Sequence, residues 1–195
     1  MSITVFFDLD GVLANFVGGA LRLHNRDHDV PVESCRWNFM TQLGFTGEND
    51  PAFWAPLGFD FWAGLSPYSD GMALLRATEQ RFAKDGVGEI GLLTSPCDTP
   101  GCVDGKRAWV AKHLPSYRRK LFVGSAKQLF AGPGKLLIDD HDSNVNAFEA
   151  AGGRAVQPPR PWNRHRETSL AGGLFDVPAV YSQVAREIHL ASIND

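Results

Sequence analysis

Four short runs of consecutive apolar residues constrain the fold of this chain more than any other feature of its sequence. The runs are residues 3–7, 90–93, 120–123 and 135–138, with a weaker fifth at 154–156. Strands that are apolar throughout, without alternation, are typical of a parallel sheet buried on both faces. Helix-like segments lie between them, at residues 71–84, 105–113 and 143–151. The alternation predicts an α/β fold with a doubly wound parallel sheet, whose ligand crevice lies at the carboxyl ends of the strands.

Residues 15–67 do not follow this alternation. They are rich in Phe, Trp, Gly and Pro and contain no convincing buried strand. We predict that 15–67 is an inserted helical cap and that 1–14 and 68–195 form the core domain, since 195 residues suffice for one α/β domain with such an insertion. The stretch after Gln157 is expected to wrap the surface before a last helix near residues 177–190.

Two carboxylates, Asp8 and Asp10, follow the first apolar run directly, and Gly11 comes next. Side chains two positions apart in an extended segment point the same way, so both can face one reacting centre while Gly11 lets the chain turn away. Such a pair suits phosphoryl transfer through a covalent intermediate. One carboxylate attacks phosphorus, and the other delivers a proton to the leaving oxygen and later activates water.

Polar residues also follow the other three main runs, at the same predicted edge of the sheet. Thr94 and Ser95 place hydroxyls where a phosphate oxygen would be held. Lys127 can neutralise phosphate charge and orient the nucleophile. Asp139 and Asp140 are in position to complete a metal site.

A divalent cation is expected at this edge, because adjacent anions facing a phosphate would repel it. An oxygen-rich ligand set favours magnesium over zinc. Response-regulator receiver domains also join acidic residues, a threonine and a lysine around magnesium. They begin with an acidic pair and place the accepting aspartate mid-chain, whereas here Asp-x-Asp comes first, so we set that interpretation aside.

These motifs resemble the four signature motifs of the haloacid dehalogenase superfamily: Asp8-Leu9-Asp10-Gly11-Val12-Leu13, Leu93-Thr94-Ser95, Lys127 and Ile138-Asp139-Asp140. Longer strings are similar to the 5'(3')-deoxyribonucleotidases: Asp8 to Phe16, Leu93 to Pro96, Lys106 to Val110 and Leu136 to Asp140. The resemblance extends to about Gly153. It implies a Rossmann-like core that carries a helical cap.

The resemblance also implies roles for the acidic residues. Asp8 would be the nucleophile and a metal ligand, and Asp10 the acid/base, with its backbone carbonyl on Mg²⁺. Asp140 would be the remaining protein ligand of the metal, with Asp139 as its near neighbour outside the first coordination sphere.

By the same resemblance, Thr94, Ser95 and Lys127 would bind the phosphate, and Lys106 would stand at the pocket edge. Two departures concern basic residues of the family pattern. Ser125 stands where the family usually has an arginine two positions before the motif lysine, which leaves base and sugar selectivity open.

The second departure is His141, which follows the acidic pair where arginine is common, and we interpret it as a surface change. A further group of basic residues, Arg160, Arg164 and Arg166 with His165, lies in the last third of the chain. We interpret these as solvated charges outside the site, since charged stretches are usually solvated.

The predicted cap carries many aromatic side chains, which are Phe16, Trp37, Phe39, Phe53, Trp54, Phe59, Phe61 and Trp62. Stacking of a nucleobase on such a ring is worth roughly 1–3 kcal/mol. Most of these rings are expected in the core, because a small helical cap needs bulky side chains to bury anything. Phe16 and Trp37 are predicted to line the base pocket, Trp37 because it resembles a family aromatic at that place.

The leading hypothesis is therefore a magnesium-dependent phosphatase that hydrolyses nucleoside monophosphates to nucleoside and phosphate through an aspartyl-phosphate. One alternative is a phosphatase for another small ester, such as a sugar phosphate. Another is a nucleotide-binding module without turnover, whose expected signature, loss of Asp8 or Asp10, is not present.

Composition excludes several other classes. The formal charge of -3, with interspersed signs, argues against long nucleic acid as a partner. No run approaches the ~20 apolar residues of a membrane span, and the start has no secretory pattern, so we expect a cytoplasmic protein.

The three cysteines predict no disulfide framework, and Cys97 and Cys102 with His113 fit no common zinc spacing. The oligomeric state stays open, and a homodimer is allowed.

Overall fold

The computed structural model of the chain describes residues 3–26, 31–86 and 88–193. Its centre is a parallel sheet of five strands in the order β3-β2-β1-β4-β5. The strands are β1 (Thr4–Phe7), β2 (Glu89–Thr94), β3 (Leu121–Val123), β4 (Lys135–Ile138) and β5 (Arg154–Val156). All five coincide closely with the apolar runs, which confirms the predicted α/β class and parallel sheet.

Strand β1 lies in the middle of the sheet and pairs with two neighbours. Phe7 is in register with Leu92 of β2 on one side and with Ile138 of β4 on the other. The chain builds outward from β1 to β2 and β3, and later returns to β1 to add β4 and β5. The order therefore reverses between β1 and β4, and a crevice at the carboxyl ends of strands is expected at such a reversal.

The regular elements that the structure describes within residues 15–67 are all helices, joined by turns and loops. They form α1 (Phe16–Leu23), a 3₁₀ turn (Val32–Ser34), α2 (Phe39–Gln42), α3 (Pro51–Trp54) and α4 (Phe59–Gly64). Local capping explains two of the helix starts: the Asn15 side chain accepts from the Gly18 N–H, and the Asp50 side chain accepts from the Ala52 N–H. The helical character is as predicted, while the cap boundaries at 15 and 67 remain a prediction.

Helix α4 packs against the core through α6, the helix Cys102–His113. The contact is close at Gly105, where a Cβ atom would lie 2.6 Å from Cβ of Trp62 and 2.7 Å from the Phe59 carbonyl oxygen. A larger residue at 105 would push the two helices apart. The next residue is Lys106, so this contact also determines where the Lys106 side chain enters the site.

The remaining helices are α5 (Ser69–Asp85), α7 (Asp142–Ala150) and α8 (Val177–Ile193). They agree with the predicted helices within a few residues. None of the helices that the structure describes is long and apolar enough to cross a membrane. The buried apolar cluster runs from the sheet through α5, α6 and α8 into the helices of residues 15–67.

Two expectations about burial are wrong. Strand β3 lies at the edge of the sheet, and its Phe122 and Val123 are 41% and 36% exposed, because no strand among the described residues pairs with its outer side. The stretch after Gln157 does not simply wrap the surface. Arg160 is fully buried and Trp162 is 5% exposed, because both side chains reach groups at the carboxyl edge of the sheet.

Candidate active site

Three carboxylates meet where β1 and β4 end. One oxygen of each of Asp8, Asp139 and Asp140 lies within 4.8 Å of the others, and all three residues are buried. The two strands place them there directly, since the Asp8 N–H donates to the Ile138 carbonyl at 2.9 Å. The predicted meeting of the Asp-x-Asp motif with the second acidic pair is therefore observed.

Gly11 allows this close approach. Its φ of +81° lies in the left-handed region, and a Cβ atom there would stand 2.2 Å from Oδ2 of Asp140. The turn is fixed by the Leu9 carbonyl oxygen, which accepts from the N–H groups of Leu13 and Ala14 at 2.8 and 2.7 Å. Only glycine fits between the loop that follows the first acidic pair and the second acidic pair.

Lys127 connects the two acidic pairs. Its Nζ lies 2.8 Å from Oδ1 of Asp8 and donates to Oδ2 of Asp139 at 2.6 Å, and the residue is 1% exposed. Burial alone would lower the pKa of Lys127, but the charges of Asp139 and Asp8 more than offset this and raise it. Lys127 therefore stays cationic and holds Asp8 in place, as the sequence predicts for a residue that orients the nucleophile.

Lys106 provides a second buried ammonium group, next to Asp10. Its Nζ donates to the Asp10 carboxylate, to the Ser95 carbonyl oxygen, and to Oγ1 of Thr94 at 3.1 Å. It is 3% exposed, which is deeper than the pocket edge where we expected it. Asp10 pairs with Lys106, so burial, which lowers the pKa of Lys106, is outweighed and that pKa is raised.

Thr94 and Ser95 differ in their surroundings. Thr94 is fully buried, and its hydroxyl accepts from Lys106, so in this arrangement it positions that ammonium group. Ser95 lines the cavity beside Lys106. The predicted contact of both hydroxyls with phosphate remains a prediction.

The charges of the site do not balance. Asp8, Asp10, Asp139 and Asp140 face the ammonium groups of Lys106 and Lys127, which leaves two negative charges uncompensated. Burial, followed by the neighbouring charges of Asp139 and Asp10, raises the pKa of Asp8 to about 7 even though Lys127 opposes the shift. Burial likewise raises the pKa of Asp140 well above its usual value.

A divalent cation would supply the missing charge, and the ligands on offer are all oxygen atoms, which suits Mg²⁺. Asp139 is the least available of the three clustered carboxylates. Its oxygens accept from Lys127, from the His141 N–H at 2.8 Å and from Nδ2 of Asn144 at 3.1 and 3.2 Å. Asp8 and Asp140 are therefore the carboxylates with more oxygen atoms available to a metal ion, and the place of Asp139 outside the first coordination sphere remains a prediction.

Three residues from Gln157 onward hold Asp140. Trp162 Nε1 donates to Oδ2 of Asp140, and Asn163 Nδ2 and Gln157 Nε2 donate to its carbonyl oxygen at 3.1 and 3.0 Å. Sequence reasoning missed all three. Their only signal is the apolar and proline-rich setting of a tryptophan and an asparagine after β5.

Arg160 holds the loop after Asp10. Its Nε donates to the Gly11 carbonyl oxygen at 2.7 Å, and its guanidinium pairs with the buried carboxylate of Asp70 at 2.7 Å. The rings of Tyr68 and Phe175 lie 4.1 and 4.8 Å from the guanidinium carbon. The interpretation of Arg160 as a solvated charge is wrong. It is correct for Arg164, whose side chain is 42% exposed and pairs with Asp142 at the surface.

A cavity of about 340 Å³ opens onto this cluster. Asp8, Asp10, Ser95, Lys106 and Asp140 are among the residues that line it. It is also lined by six aromatic side chains: Phe16, Trp37, Phe39, Trp54, Trp62 and Trp162. The structure thus brings together the acidic residues and both of the rings predicted to line a base pocket.

Phe16 is the centre of the aromatic wall. It is stacked on Trp62, with ring centroids 5.5 Å apart and planes at 7°, and lies nearly parallel to Trp54 at 6.0 Å. Other aromatic residues of the segment are core, as expected, such as Phe53 at 0% exposure. Phe59 belongs neither to the core nor to the aromatic wall, since it is 46% exposed and does not line the cavity.

Trp37 and Glu48 lie together at the cavity. Trp37 is 45% exposed, its Nε1 donates to Oε2 of Glu48 at 2.9 Å, and its ring centroid is 3.6 Å from that of His141. Trp54 Nε1 donates to the Glu48 carbonyl oxygen at 2.6 Å. His141 also lines the cavity, so its interpretation as a surface change is wrong. Sequence reasoning missed Glu48, because one glutamate in a loop carries no distinguishing signal.

Two examples of solved structures that share this fold are both hydrolases. The HAD hydrolase YfnB from Bacillus subtilis, determined bound to magnesium, matches with a TM-score of 0.51 and 14% identity, over 80% of this chain and 86% of its own. A hydrolase from Pseudomonas syringae matches with a TM-score of 0.53 and 13% identity, over 96% of this chain and 99% of its own. No curated protein matches the sequence. The fold is therefore that of the haloacid dehalogenase-like hydrolases.

Within that class, one family model matches residues 1–173, which covers most of the 195 residues. Its description is 5' nucleotidase, deoxy (pyrimidine), cytosolic type C protein. The chain belongs to this family of nucleotidases and is a phosphoric monoester hydrolase. The resemblance drawn from the motifs is confirmed.

Proposed function

We propose that the protein is a magnesium-dependent phosphatase that hydrolyses (deoxy)ribonucleoside monophosphates to nucleoside and inorganic phosphate. The observation that carries the proposal is one cavity lined both by Asp8 and Asp10 and by an aromatic wall around Phe16. The first set of side chains suits phosphoryl transfer, and the second suits a flat base.

The carboxylate of Asp8 attacks the phosphorus atom and forms an aspartyl-phosphate, while the bond from phosphorus to the nucleoside oxygen breaks. Asp10 delivers a proton to that leaving oxygen. It then takes a proton from the water that attacks the aspartyl-phosphate, which releases phosphate and restores Asp8. Lys127 holds Asp8 throughout, through its contact at 2.8 Å.

Mg²⁺ would be held by the side chains of Asp8 and Asp140 and by the backbone carbonyl of Asp10. The support for this assignment is the excess of negative charge among buried carboxylates and the oxygen-only ligand set. Bound there, the cation would neutralise phosphate charge and polarise the phosphoryl oxygens. Ser95 and Lys106 line the same cavity and would contact the phosphate.

The nucleoside would lie along Phe16 and Trp37. A sugar phosphate would leave this aromatic surface uncovered, so the lining favours a nucleotide over that alternative. The family description names deoxy and pyrimidine nucleotides, which makes deoxypyrimidine monophosphates the first substrates to test.

The experiment is phosphate release from nucleoside monophosphates and sugar phosphates, with Mg²⁺ or with EDTA, for the wild type and Asp8→Asn. Release from nucleotides that needs Mg²⁺ and is lost in the variant is the expected result. A preference for sugar phosphates would overturn the substrate assignment. Undiminished release by Asp8→Asn would overturn the aspartyl-phosphate, and release unaffected by EDTA would overturn the metal.

A further inference from the structure

Two cysteines have no part in the chemistry above, one at the active-site cavity and one buried behind it. Cys97 follows β2 and lines the cavity, and Cys102 is the first residue of α6 and is 1% exposed. The Cys97 N–H donates to Sγ of Cys102 at 3.2 Å, and Sγ of Cys97 lies 2.9 Å from Oγ1 of Thr99. The loop of residues 97–102 therefore folds back on itself. The Cys97 thiol can be reached from the cavity, and the Cys102 thiol is buried behind it.

The surroundings of the two thiols are unequal. A hydrogen bond from the Cys102 thiol lowers the pKa of Cys97 to about 6, against the effect of burial, and Thr99 and the charge of Lys106 act in the same direction. The same hydrogen bond, together with burial, raises the pKa of Cys102. Cys97 is therefore the nucleophilic thiolate near neutral pH and Cys102 keeps its proton.

Cys35 is the natural contrast within the chain. It is fully buried, and burial raises its pKa to about 11. A thiol of that kind reacts slowly with oxidants, because the thiolate is the reactive form. Cys97 combines a stabilised thiolate, access from the cavity and a second thiol close by, which is the arrangement of oxidant-sensitive cysteines.

We propose that Cys97 and Cys102 form an oxidant-sensitive modification site whose reagent is a peroxide. The Cys97 thiolate attacks one peroxide oxygen, the O–O bond breaks, hydroxide leaves and Cys97 becomes a sulfenic acid. The Cys102 sulfur then attacks Sγ of Cys97, a disulfide forms, and the sulfenic oxygen leaves as water with the proton of the Cys102 thiol. Peroxide is reduced by two electrons and the two thiols are oxidised by two; thiol reductants reverse the change.

The bridge would act on the active site through Lys106, one helical turn beyond Cys102. Lys106 donates to Asp10, Thr94 and the Ser95 carbonyl oxygen, so a covalent tie at the start of α6 constrains the ammonium group that these residues share. Oxidation is therefore expected to reduce phosphate release. This consequence rests on the proposed function, whereas bridge formation does not.

The test is peptide mass mapping of the intact protein after treatment with hydrogen peroxide, with free thiols blocked by iodoacetamide. One tryptic peptide, residues 85–106, contains both cysteines, and Cys35 lies in another. The expected result is loss of two hydrogen masses from the first peptide, reversed by dithiothreitol, while Cys35 stays free to be alkylated. Bridge formation lost in Cys97→Ser, and a dimedone-labelled Cys97 in Cys102→Ala, would establish the order of the two steps.

Alkylation of Cys97 no faster than that of Cys35, or peroxide treatment that leaves peptide 85–106 fully reduced, would overturn the proposal without requiring any variant. A bridge that forms while Asp8-dependent phosphate release stays unchanged would overturn the effect on the active site and uphold the modification site. Absence of phosphate release from the reduced protein would count against the proposed function alone, because the bridge is measured by mass.

Discussion

The indole N–H of Trp162 donates a hydrogen bond to Oδ2 of Asp140, a contact between residues 22 positions apart. Both side chains are buried. The bond occupies one carboxylate oxygen of Asp140 and fixes the direction of the other. Residues that orient a metal ligand in this way affect metal affinity although they do not touch the ion.

Trp162→Phe keeps an aromatic ring but removes the N–H donor. We expect divalent-cation binding to weaken by roughly 10–100-fold, as is typical when the partner of a metal ligand is removed. Calorimetric titration with Mg²⁺ or Mn²⁺ measures this directly. The matched control is Trp109→Phe, which also removes a buried indole hydrogen bond, to the Leu65 carbonyl oxygen at 2.7 Å, away from the acidic cluster. Equal cation affinity in the two variants would contradict the role of Trp162.

Arg160→Met leaves Asp70 as a buried carboxylate without its guanidinium partner. Breaking a buried pair on one side costs about 3–5 kcal/mol of unfolding free energy. Arg164→Met is the matched control, because Arg164 pairs with Asp142 at the surface and both side chains are over 40% exposed. Its loss should cost less than about 1 kcal/mol. Urea unfolding measures both, and similar losses in the two variants would count against the buried pair.

The pH dependence of stability without metal follows from Asp8. Its pKa of about 7 in the folded protein exceeds the unfolded value of 3.8, so the folded state binds the proton more tightly. The contribution of Asp8 to the free energy of unfolding is therefore fully present below about pH 4. It falls by about a few kcal/mol as the pH rises to about 7. In EDTA, we expect Asp8→Asn to be more stable than the wild type at pH 8, with a smaller difference at pH 5.

Thermal unfolding at both pH values measures this effect. Added Mg²⁺ should reverse the order at pH 8, because the wild type gains the free energy of cation binding and the variant has lost a ligand. A wild type that is equally stable at pH 5 and pH 8 in EDTA would contradict the raised pKa of Asp8.

Trp37→Ala tests the aromatic wall. Removal of a stacking ring costs roughly 1–3 kcal/mol, so KM for nucleoside monophosphates should rise by about 5- to 150-fold. Ribose 5-phosphate carries no base, and its KM should not change. Phe59→Ala is the control, since Phe59 is an equally exposed aromatic residue of the same segment that does not line the cavity. A parallel rise for ribose 5-phosphate would point to damage at the phosphate end instead.

The sheet and the acidic centre could be predicted because both depend on local signals. Uniform apolar runs define the strands, and parallel strands bring Asp8 and Asp140 to one edge whatever the rest of the chain does. The supporting contacts could not be predicted in this way. Arg160 contacts Gly11 across 149 positions, and an arginine among prolines carries the same local signal whether it is solvated or buried.

The depth of Lys106 was missed for a related reason. Its position depends on how closely α4 approaches α6 at Gly105, which is a property of two packed helices and not of the motif around the lysine. The burial of Asp70 and its pairing with Arg160 could not be predicted either. An acidic residue in the first turn of a helix is an ordinary feature that needs no buried partner.

The contact of Arg160 with the loop at Gly11 also bears on when the site can form during synthesis of the chain. Residues 8–12 are synthesised about 150 positions before the side chains that hold this loop and Asp140. A growing chain therefore carries its acidic residues long before it can keep them in place. We expect catalytic competence to be acquired only once the stretch from Gln157 to Phe175 has been synthesised and has closed over the loop at Gly11.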